Sequence, residues 1–324
     1  MRSVSSLGVS VRRCRKMLLY HSEIFEKHDT GDHPESIDRI VQVNGMLKRS
    51  GWIERCKRPD WMGASVEQCK RNHSPEYIDQ LHRWCTMGAA RVESDTVVST
   101  GSWDAATLAA GAACDAVQRI LRGEESQAFC AIRPPGHHAL KDAPMGFCLL
   151  NNVSIAAYQA LAMGIERVLI VDWDVHHGNG TQASFWEDPR VGFVSIHRSP
   201  FYPGTGRKDE TGAGSAIGTK LNIPVPADTP AKTFLSLLAD GTEKLANKLK
   251  PQLVLLSAGF DAHAADPVGG LTLEAEDFEE AGRWIARLAK DHCEGRIVSL
   301  LEGGYHLKRM PECVDAHLKG LTNA

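Results

Sequence analysis

The stretch RVLIVDWDVHHGNG, residues 167–180, joins an apolar run of strand length directly to a cluster of ionisable residues. Its Val, Leu and Ile side chains are typical of a strand that is buried on both faces of a parallel sheet. Comparable apolar runs occupy residues 129–132, 191–197, 253–257 and 296–301. These five runs predict the strands of one parallel sheet.

Helical patterns lie between these runs, with small or apolar residues repeated at helical spacing. They cover residues 102–121, 153–163, 233–249 and 274–289. Asn151 or Asn152 would cap the second helix, and Thr272 precedes the acidic first turn of the last. The alternation of strands and helices predicts an α/β fold whose central, mostly parallel sheet has helices on both faces.

The length of 324 residues would favour two domains, if about 150 residues are allowed for each. However, no repeat, low-complexity tract or linker rich in proline and serine divides the chain. The rise in proline and glycine at 199–218 is typical of a loop. We therefore expect a single domain over residues 17–324.

Residues 1–16 are basic and rich in serine, and they contain no acid. We expect a disordered tail here. The composition also resembles that of an organelle transit peptide, and a true start at Met17 is a third interpretation.

The overall charge is close to neutral, with 37 Lys and Arg against 40 Asp and Glu. This balance leaves no basic footprint for direct contact with nucleic acid. No run approaches the ~18 apolar residues of a membrane helix, so no membrane partner is expected. The nine cysteines form no Cys-x-x-Cys pair, which excludes a zinc ribbon and favours free thiols in the cytoplasm. Whether the protein is an oligomer is left open.

Ionisable side chains follow four of the predicted strands, where open α/β sheets bind their ligands. They are the pair His137 and His138, the cluster at 172–179, Asp261 and Tyr305. Because the carboxyl ends of parallel strands meet at one edge of a sheet, we expect these side chains to converge on one rim.

The residues Asp174 and His176 are candidate metal ligands, because residues two apart on an extended segment point to the same side. Asp261 is the natural third ligand, from a distant strand end. Three ligands leave a coordination position for water, which is typical of a catalytic site. This donor set suits Zn²⁺, with Fe²⁺, Mn²⁺ or Co²⁺ as alternatives. A capping or surface role is the simpler reading of each residue alone, but burying three ionisable groups without a cation would cost several kcal/mol.

Hydrolysis with an activated water needs a base, an acid and a donor to the oxyanion. His137 and His138 follow a rigid Pro-Pro-Gly turn and are candidates for base and acid, although the residues leave open which does which. Asp172 and Asn179 are their candidate partners, since a carboxylate makes an imidazole more basic and an amide orients it. Tyr305 follows two glycines and is the candidate oxyanion donor, with a packing role as the alternative.

Five blocks in order resemble the zinc-dependent histone deacetylase family. They are R-P-P-G-H-H-A at 133–139, G-F-C-L-L-N-N at 146–152, D-W-D-V-H-H-G-N-G-T-Q at 172–182, S-A-G-F-D at 257–261 and L-E-G-G-Y at 301–305. Within that family the blocks resemble class II most, including its bacterial and acetylpolyamine-processing relatives. The resemblance runs from Leu18 to the C-terminus, and it implies the arginase–deacetylase fold with the site roles given above.

The resemblance also implies a substrate channel and a structural K⁺ site. The channel residues would be Gly146, Phe147, Phe201, Tyr202 and Val268, with the choice between Phe201 and Tyr202 for the channel wall left open. The K⁺ would be bound near Asp172, Asp174, His176, Ser195 and Ile196. Asp95 is a candidate for an acidic residue at the rim, with a solvated loop charge as the alternative.

The predicted activity is metal-dependent hydrolysis of acetyl or other acyl groups from lysine side chains of proteins or peptides. The alternative substrates are acetylpolyamines or other small acylated amines. Polyamine-specific relatives carry Glu where this chain has Val268, which weighs against a dedicated polyamine enzyme. A non-enzymatic acyl-lysine binder and an arginase-type hydrolase are the remaining alternatives, and the second of these lacks its extra metal ligands.

Overall fold

The computed structural model describes residues 17–88 and 90–323. The tail or transit peptide predicted at 1–16 lies outside the described residues. The strands are β1 (Leu18–His21), β2 (Gln127–Ala131), β3 (Val168–Asp172), β4 (Val191–Arg198), β5 (Lys220–Val225), β6 (Leu253–Ala258) and β7 (Ile297–Leu301). The helices are α1 (Ile37–Arg49), α2 (Trp52–Arg55), α3 (Val66–Cys69), α4 (Pro75–Met87), α5 (Ser102–Leu121), α6 (Asn152–Ala162), α7 (Asn179–Ser184), α8 (Ala231–Leu249), α9 (Ala275–Cys293) and α10 (Arg309–Thr322).

Within the described residues, the seven strands form one sheet in the order β1-β2-β7-β6-β3-β4-β5. Every neighbouring pair is parallel, so the sheet is parallel throughout. The five predicted strands correspond to β2, β3, β4, β6 and β7. The prediction lacks β1 and β5, which lie at the two edges: LLYH is very short, and KLNIPV carries Lys, Asn and Pro, as edge strands commonly do.

Helices cover both faces of the sheet, as the sequence predicts. Every residue of β2, β3, β6 and β7 is buried, which requires cover on each side. Helix α5 packs on α6 and β2, whereas α9 packs on α10 and β6. The predicted single-domain α/β fold is therefore confirmed. Among the described residues, no helix combines the length and the apolar character needed to cross a bilayer.

The helix boundaries decide between the two predicted caps of α6 and extend the last predicted helix. Asn151 rather than Asn152 caps α6, because its side chain accepts a hydrogen bond from the N–H of Ser154 at 3.0 Å. Helix α9 is capped by Glu274 rather than preceded directly by Thr272, and it continues to Cys293. The prediction lacks α1, α4 and α10, as well as the short helices α2, α3 and α7.

Candidate active site

The ends of four neighbouring strands, β2, β7, β6 and β3, bring the predicted site residues together. Asp172 at the end of β3 lies in register beside Ser257 of β6, which in turn lies beside Leu300 of β7. The loops that leave these strands carry His137, His138, Asp174, His176, Asp261 and Tyr305. The convergence expected from the topology is therefore present in the structure.

Three side chains form a cluster with metal-ligand character: Asp174, His176 and Asp261. One ligand atom from each lies within 4.8 Å of the other two. His176 Nδ1 is 3.0 Å from Asp174 Oδ1 and 3.3 Å from Asp261 Oδ2. Both aspartates are completely buried and His176 is 6% exposed. These are the three candidate ligands that the sequence predicts, and the structure brings them together.

The backbone reaches this arrangement by a bend and not by the extended segment that the sequence analysis assumed. Asp174 Oδ1 accepts a hydrogen bond from the N–H of His176 at 2.9 Å, which turns the chain back on itself. Asp261 Oδ1 accepts from the N–H of Val175 at 2.9 Å, and Asp174 Oδ2 accepts from the N–H of Gly303 at 2.9 Å. Backbone donors therefore fix both carboxylates.

The local chemistry of this cluster fits a divalent cation. Asp261 Oδ2 is buried and accepts no hydrogen bond among the described residues. Burial and the neighbouring Asp174 carboxylate raise the pKa of Asp261 to about 7. A Cβ at Gly303 would collide with Asp261 Oδ2, so the chain closes tightly around the two carboxylates. Two adjacent buried carboxylates are stable when a cation compensates them, and this donor set suits a borderline metal ion.

The two histidines of the tandem pair have different partners. His137 Nδ1–H donates to Asp172 Oδ2 at 3.0 Å, and His138 Nδ1–H donates to Asn179 Oδ1 at 2.6 Å. Their ring centroids are 4.0 Å apart. These are the partners that the sequence analysis assigns.

Their electrostatic environments also separate the two imidazoles. Burial alone would lower the pKa of His137, but the carboxylates of Asp174 and Asp172 raise it to about 10. Burial, followed by the nearby His137 and His176, holds the pKa of His138 well below its usual range. One imidazole therefore favours the charged form and its neighbour the neutral form.

Glu302 supports the His137 loop from below, a role that the sequence analysis does not assign. Its Oε2 accepts hydrogen bonds from the N–H groups of Gly136 at 2.7 Å and His137 at 3.2 Å. Its Oε1 accepts from Ser257 Oγ at 3.0 Å. A carboxylate directly after a buried strand is the signal that could have identified it.

Tyr305 stands at the bottom of the site, 9% exposed. Its ring lies edge-on to Phe147, with 5.8 Å between centroids, and the Arg39 guanidinium lies 4.9 Å from the ring centroid. The preceding Gly304 has a φ of +122°, a conformation that only glycine adopts readily. Burial and the Asp261 carboxylate raise the pKa of Tyr305 well above its usual range, so its hydroxyl remains a hydrogen-bond donor.

The predicted channel residues Gly146 and Phe147 lie next to His138 and Tyr305. A Cβ at Gly146 would overlap the His138 ring, which explains why glycine stands there. Phe147 has a φ of +68°, an unusual value for a side-chain-bearing residue, and its N–H donates to Thr96 Oγ1 at 3.1 Å. Its ring contacts His33 edge-on at 4.6 Å. A backbone in an unusual conformation therefore holds this ring between His33 and Tyr305.

The structure places Phe201 and Tyr202 in different surroundings. Phe201 stacks on His176 at 5.1 Å between centroids, so it packs behind a candidate ligand. Tyr202 meets the His138 ring edge-on at 5.2 Å and is 36% exposed. The Asp95 carboxyl faces the Tyr202 hydroxyl there and helps to raise the pKa of that phenol after the larger effect of burial. The geometry therefore favours Tyr202 as the channel wall.

The remaining predicted residues lie near the site with less direct contacts. Ser195 of β4 is in register with Asp172, and its Oγ is 3.0 Å from His197 Nδ1; Ile196 follows it on the same strand. Val268 is half-buried on the loop after Asp261, where its N–H donates to Asp266 Oδ1 at 2.9 Å.

A buried ion-pair network beneath the Tyr305 loop also has no counterpart in the prediction. Arg39 Nε donates to the Gly304 carbonyl at 2.6 Å, and its Nη1 donates to Glu35 Oε1 at 2.7 Å. Arg133 Nε donates to the same Glu35 oxygen at 2.6 Å. Because Arg39 reaches the site from α1, a helix far away in sequence, no local pattern marks this contact.

Comparisons with known proteins agree with the site. A family model described as the histone deacetylase domain matches residues 33–321. A probable deacetylase of Archaeoglobus fulgidus is 39% identical over 293 residues, covering 90% of this chain and 81% of that protein. A histone deacetylase-like amidohydrolase of Pseudomonas aeruginosa is 33% identical, covering 90% of this chain and 78% of that protein.

Plant proteins show the same similarity. Histone deacetylase 14, chloroplastic, of Arabidopsis thaliana is 32% identical, covering 94% of this chain and 76% of that protein. The crystal structure of the HDA15 HD domain matches with a TM-score of 0.91 at 32% identity, covering 96% of this chain and 89% of that one. The fold is therefore the arginase–deacetylase-like fold that the resemblance implies.

Proposed function

The chain belongs to the histone deacetylase family, and we propose that it is a metal-dependent deacetylase that removes acetyl groups from lysine side chains of proteins or peptides. The supporting observation is the convergence of two differently partnered histidines and a phenol on one three-ligand cluster. His137 Nε2 lies 3.8 Å from Asp174 Oδ1. The His138 ring meets the His176 ring edge-on at 5.8 Å between centroids. The Tyr305 phenol lies close enough to Asp261 for that carboxylate to raise its pKa.

Asp174, His176 and Asp261 would hold the metal ion, for which Zn²⁺ is our first choice. Bound there, the ion supplies Lewis-acid polarisation of the acyl carbonyl and lowers the pKa of water. Fe²⁺, Mn²⁺ and Co²⁺ are compatible with the same donors. The orphaned Asp261 Oδ2 supports this assignment.

His138 is our candidate for the proton carrier. Its Nδ1–H is committed to Asn179, so its neutral Nε2 can accept a proton from water and later deliver it to the leaving lysine nitrogen. His137 donates its Nδ1–H to Asp172, and its Nε2 lies 3.8 Å from Asp174 Oδ1, so its ring would help to orient water beside the metal ligands.

Tyr305 would donate its hydroxyl to the developing oxyanion, because burial keeps the phenol protonated and Gly304 sets its approach. Phe147 and Tyr202 line the channel with aromatic faces. A narrow apolar channel of this kind fits the slim methylene stem of acyl-lysine.

An activity panel tests this proposal. Zinc-loaded protein should hydrolyse an acetyl-lysine peptide faster than acetylspermidine or acetylputrescine, and a hydroxamate chelator should abolish turnover. Faster turnover of the acetylpolyamines would replace the peptide substrate with the small acylated amine. Absence of turnover on every acyl substrate by the zinc-loaded protein would refute the enzyme assignment and favour an acyl-lysine binding protein.

We further propose K⁺ binding beside the metal loop, at Asp172, Asp174, His176, Ser195 and Ile196. The register that places Ser195 next to Asp172 supports it. Replacing K⁺ by tetramethylammonium at constant ionic strength should lower the thermal midpoint. An unchanged midpoint would contradict the proposal.

A reducing, cytoplasm-like compartment is our proposal for location. Within the described residues, the seven buried cysteines carry free thiols. Import into an organelle through residues 1–16 is the alternative, and one plant relative is named as chloroplastic. Fluorescent fusions with and without residues 1–16 distinguish them, since organelle fluorescence that depends on these residues would contradict a cytoplasmic location.

A further inference from the structure

Asp266 connects two loops at the active site and is not itself one of the site residues described above. It is 8% exposed and lies on the loop that follows Asp261. Its Oδ1 accepts from the N–H groups of Val268 at 2.9 Å and Gly269 at 3.2 Å. Its Oδ2 accepts from the N–H groups of Tyr305 at 2.7 Å and His306 at 3.2 Å. One carboxylate therefore satisfies four backbone donors on two loops.

The Asp266 loop packs closely against Asp261, one of the three candidate metal ligands. The tip of the loop packs against the backbone of Asp261 so closely that a Cβ at Gly269 would collide with the Asp261 carbonyl oxygen. The Gly269 carbonyl also accepts from Arg198 Nη1 at 3.0 Å. Because its own loop is fixed, Asp266 can hold in place the backbone of Tyr305 and His306, which donates to its Oδ2.

The Tyr305 loop depends on such an anchor because its backbone before the tyrosine is two glycines. Arg39 holds the carbonyls of Glu302 and Gly304, each at 2.6 Å, but these contacts lie before the tyrosine. Among the described hydrogen bonds, the N–H of Tyr305 donates to Asp266 Oδ2. Among the described residues, the phenol contacts Phe147 and Arg39 through its ring, so the backbone anchor determines where its hydroxyl lies.

We propose that Asp266 is a positioning residue for Tyr305, holding the phenol where it donates to the substrate oxyanion. This inference rests on the proposed deacetylase function. Asp266→Asn keeps the shape of the side chain but replaces one acceptor oxygen with an NH₂ group, which cannot accept from the N–H groups it faces. A displacement of about 1 Å in a catalytic group can cost about 10²-fold in rate.

A double-mutant cycle tests the proposal on the zinc-loaded protein with an acetyl-lysine peptide. Asp266→Asn should lower kcat about 10- to 10²-fold with KM within about twofold of wild type. In a Tyr305→Phe background, Asp266→Asn should cost less than about twofold, because the hydroxyl it positions is gone. Asp188→Asn is the matched control: Asp188 also caps a loop, accepting from the N–H of Arg190 at 3.0 Å, and its replacement should leave kcat unchanged.

An equal loss of kcat in both backgrounds, or a kcat within twofold of wild type, would overturn the proposal. Should Asp266→Asn fail to fold, Asp266→Ser replaces it in the cycle. Failure of both variants to fold would make Asp266 a residue of the general fold, and would also overturn the proposal.

A readout that needs no activity separates this inference from the proposed function. With 3-fluorotyrosine at position 305, the ¹⁹F resonance should shift or broaden in Asp266→Asn and stay unchanged in Asp188→Asn. An unchanged resonance in Asp266→Asn would overturn the positioning role even if the enzyme proposal holds. Absence of turnover in the wild type, with a shifted resonance, would refute the function and leave the positioning intact.

Discussion

Glu35 is completely buried between two arginines, and replacing it with glutamine measures how strongly this network stabilises the fold. Burial would raise the pKa of Glu35, but Arg133, His28 and Arg39 together lower it from 4.5 to about 2. The difference between these pKa values corresponds to about 3 kcal/mol of stability at neutral pH. Removing one partner of a buried pair typically costs about 3–5 kcal/mol.

Urea unfolding at pH 7, followed by tryptophan fluorescence, should therefore show Glu35→Gln destabilised by about 3–5 kcal/mol relative to wild type. The control is Glu67→Gln, which breaks the exposed pair with Lys70 at 3.0 Å. It should cost less than about 1 kcal/mol, because water screens exposed pairs.

The stabilisation by Glu35 should decrease as the pH falls. Because the pKa of Glu35 is lower in the folded state than in the unfolded state, its contribution is complete above about pH 4.5. It declines as the pH falls from there towards 2, where the carboxylate becomes protonated. The difference in free energy of unfolding between wild type and Glu35→Gln should therefore decrease over this pH range. A loss of unfolding free energy below about 1 kcal/mol at pH 7 would contradict a stabilising role of the Glu35 ion pairs. A difference between the two proteins that does not decrease in acid would contradict it as well.

Three further predictions concern the catalytic groups. Tyr305→Phe should lower kcat on an acetyl-lysine peptide about 10²–10³-fold through loss of an oxyanion donor, and unchanged steady-state turnover would contradict that role. Gly146→Ala places a Cβ against the His138 ring and should lower kcat about 10²-fold while bound zinc, measured by mass spectrometry, stays constant; full activity would show that the ring has room to move. Asn179→Asp puts a carboxylate beside His138 Nδ1, which raises the pKa of His138. The acidic limb of the kcat–pH profile should then move to higher pH, and an unmoved limb would argue against His138 as the base.

The grouping of the three candidate metal ligands could be predicted from local sequence and simple topology. Buried parallel strands are readable as apolar runs, and their carboxyl ends must share one edge, so Asp174 and Asp261 could be placed together without coordinates. Their final geometry could not, because the bend at 174–176 depends on backbone donors that only the folded loop supplies.

The supporting residues were harder to predict because their partners are distant in sequence. Arg39 lies on α1 and bonds the Gly304 carbonyl, and Asp266 bonds the N–H of Tyr305. Neither contact leaves a periodic or compositional trace near the residue itself. The edge strands β1 and β5 were not predicted because their apolar patterns are weak. β1 has only four residues, and β5 is partly exposed.

Zinc titration of chelator-treated protein tests the central claim most directly, with bound metal and acetyl-lysine peptide turnover measured on the same samples. Turnover should be absent without metal, rise in proportion to zinc and saturate at about one equivalent per chain, as a single three-ligand site requires. Asp261→Ala should lose both tight zinc binding and turnover. Full turnover in the metal-free protein, or unimpaired zinc binding and activity in Asp261→Ala, would contradict the account.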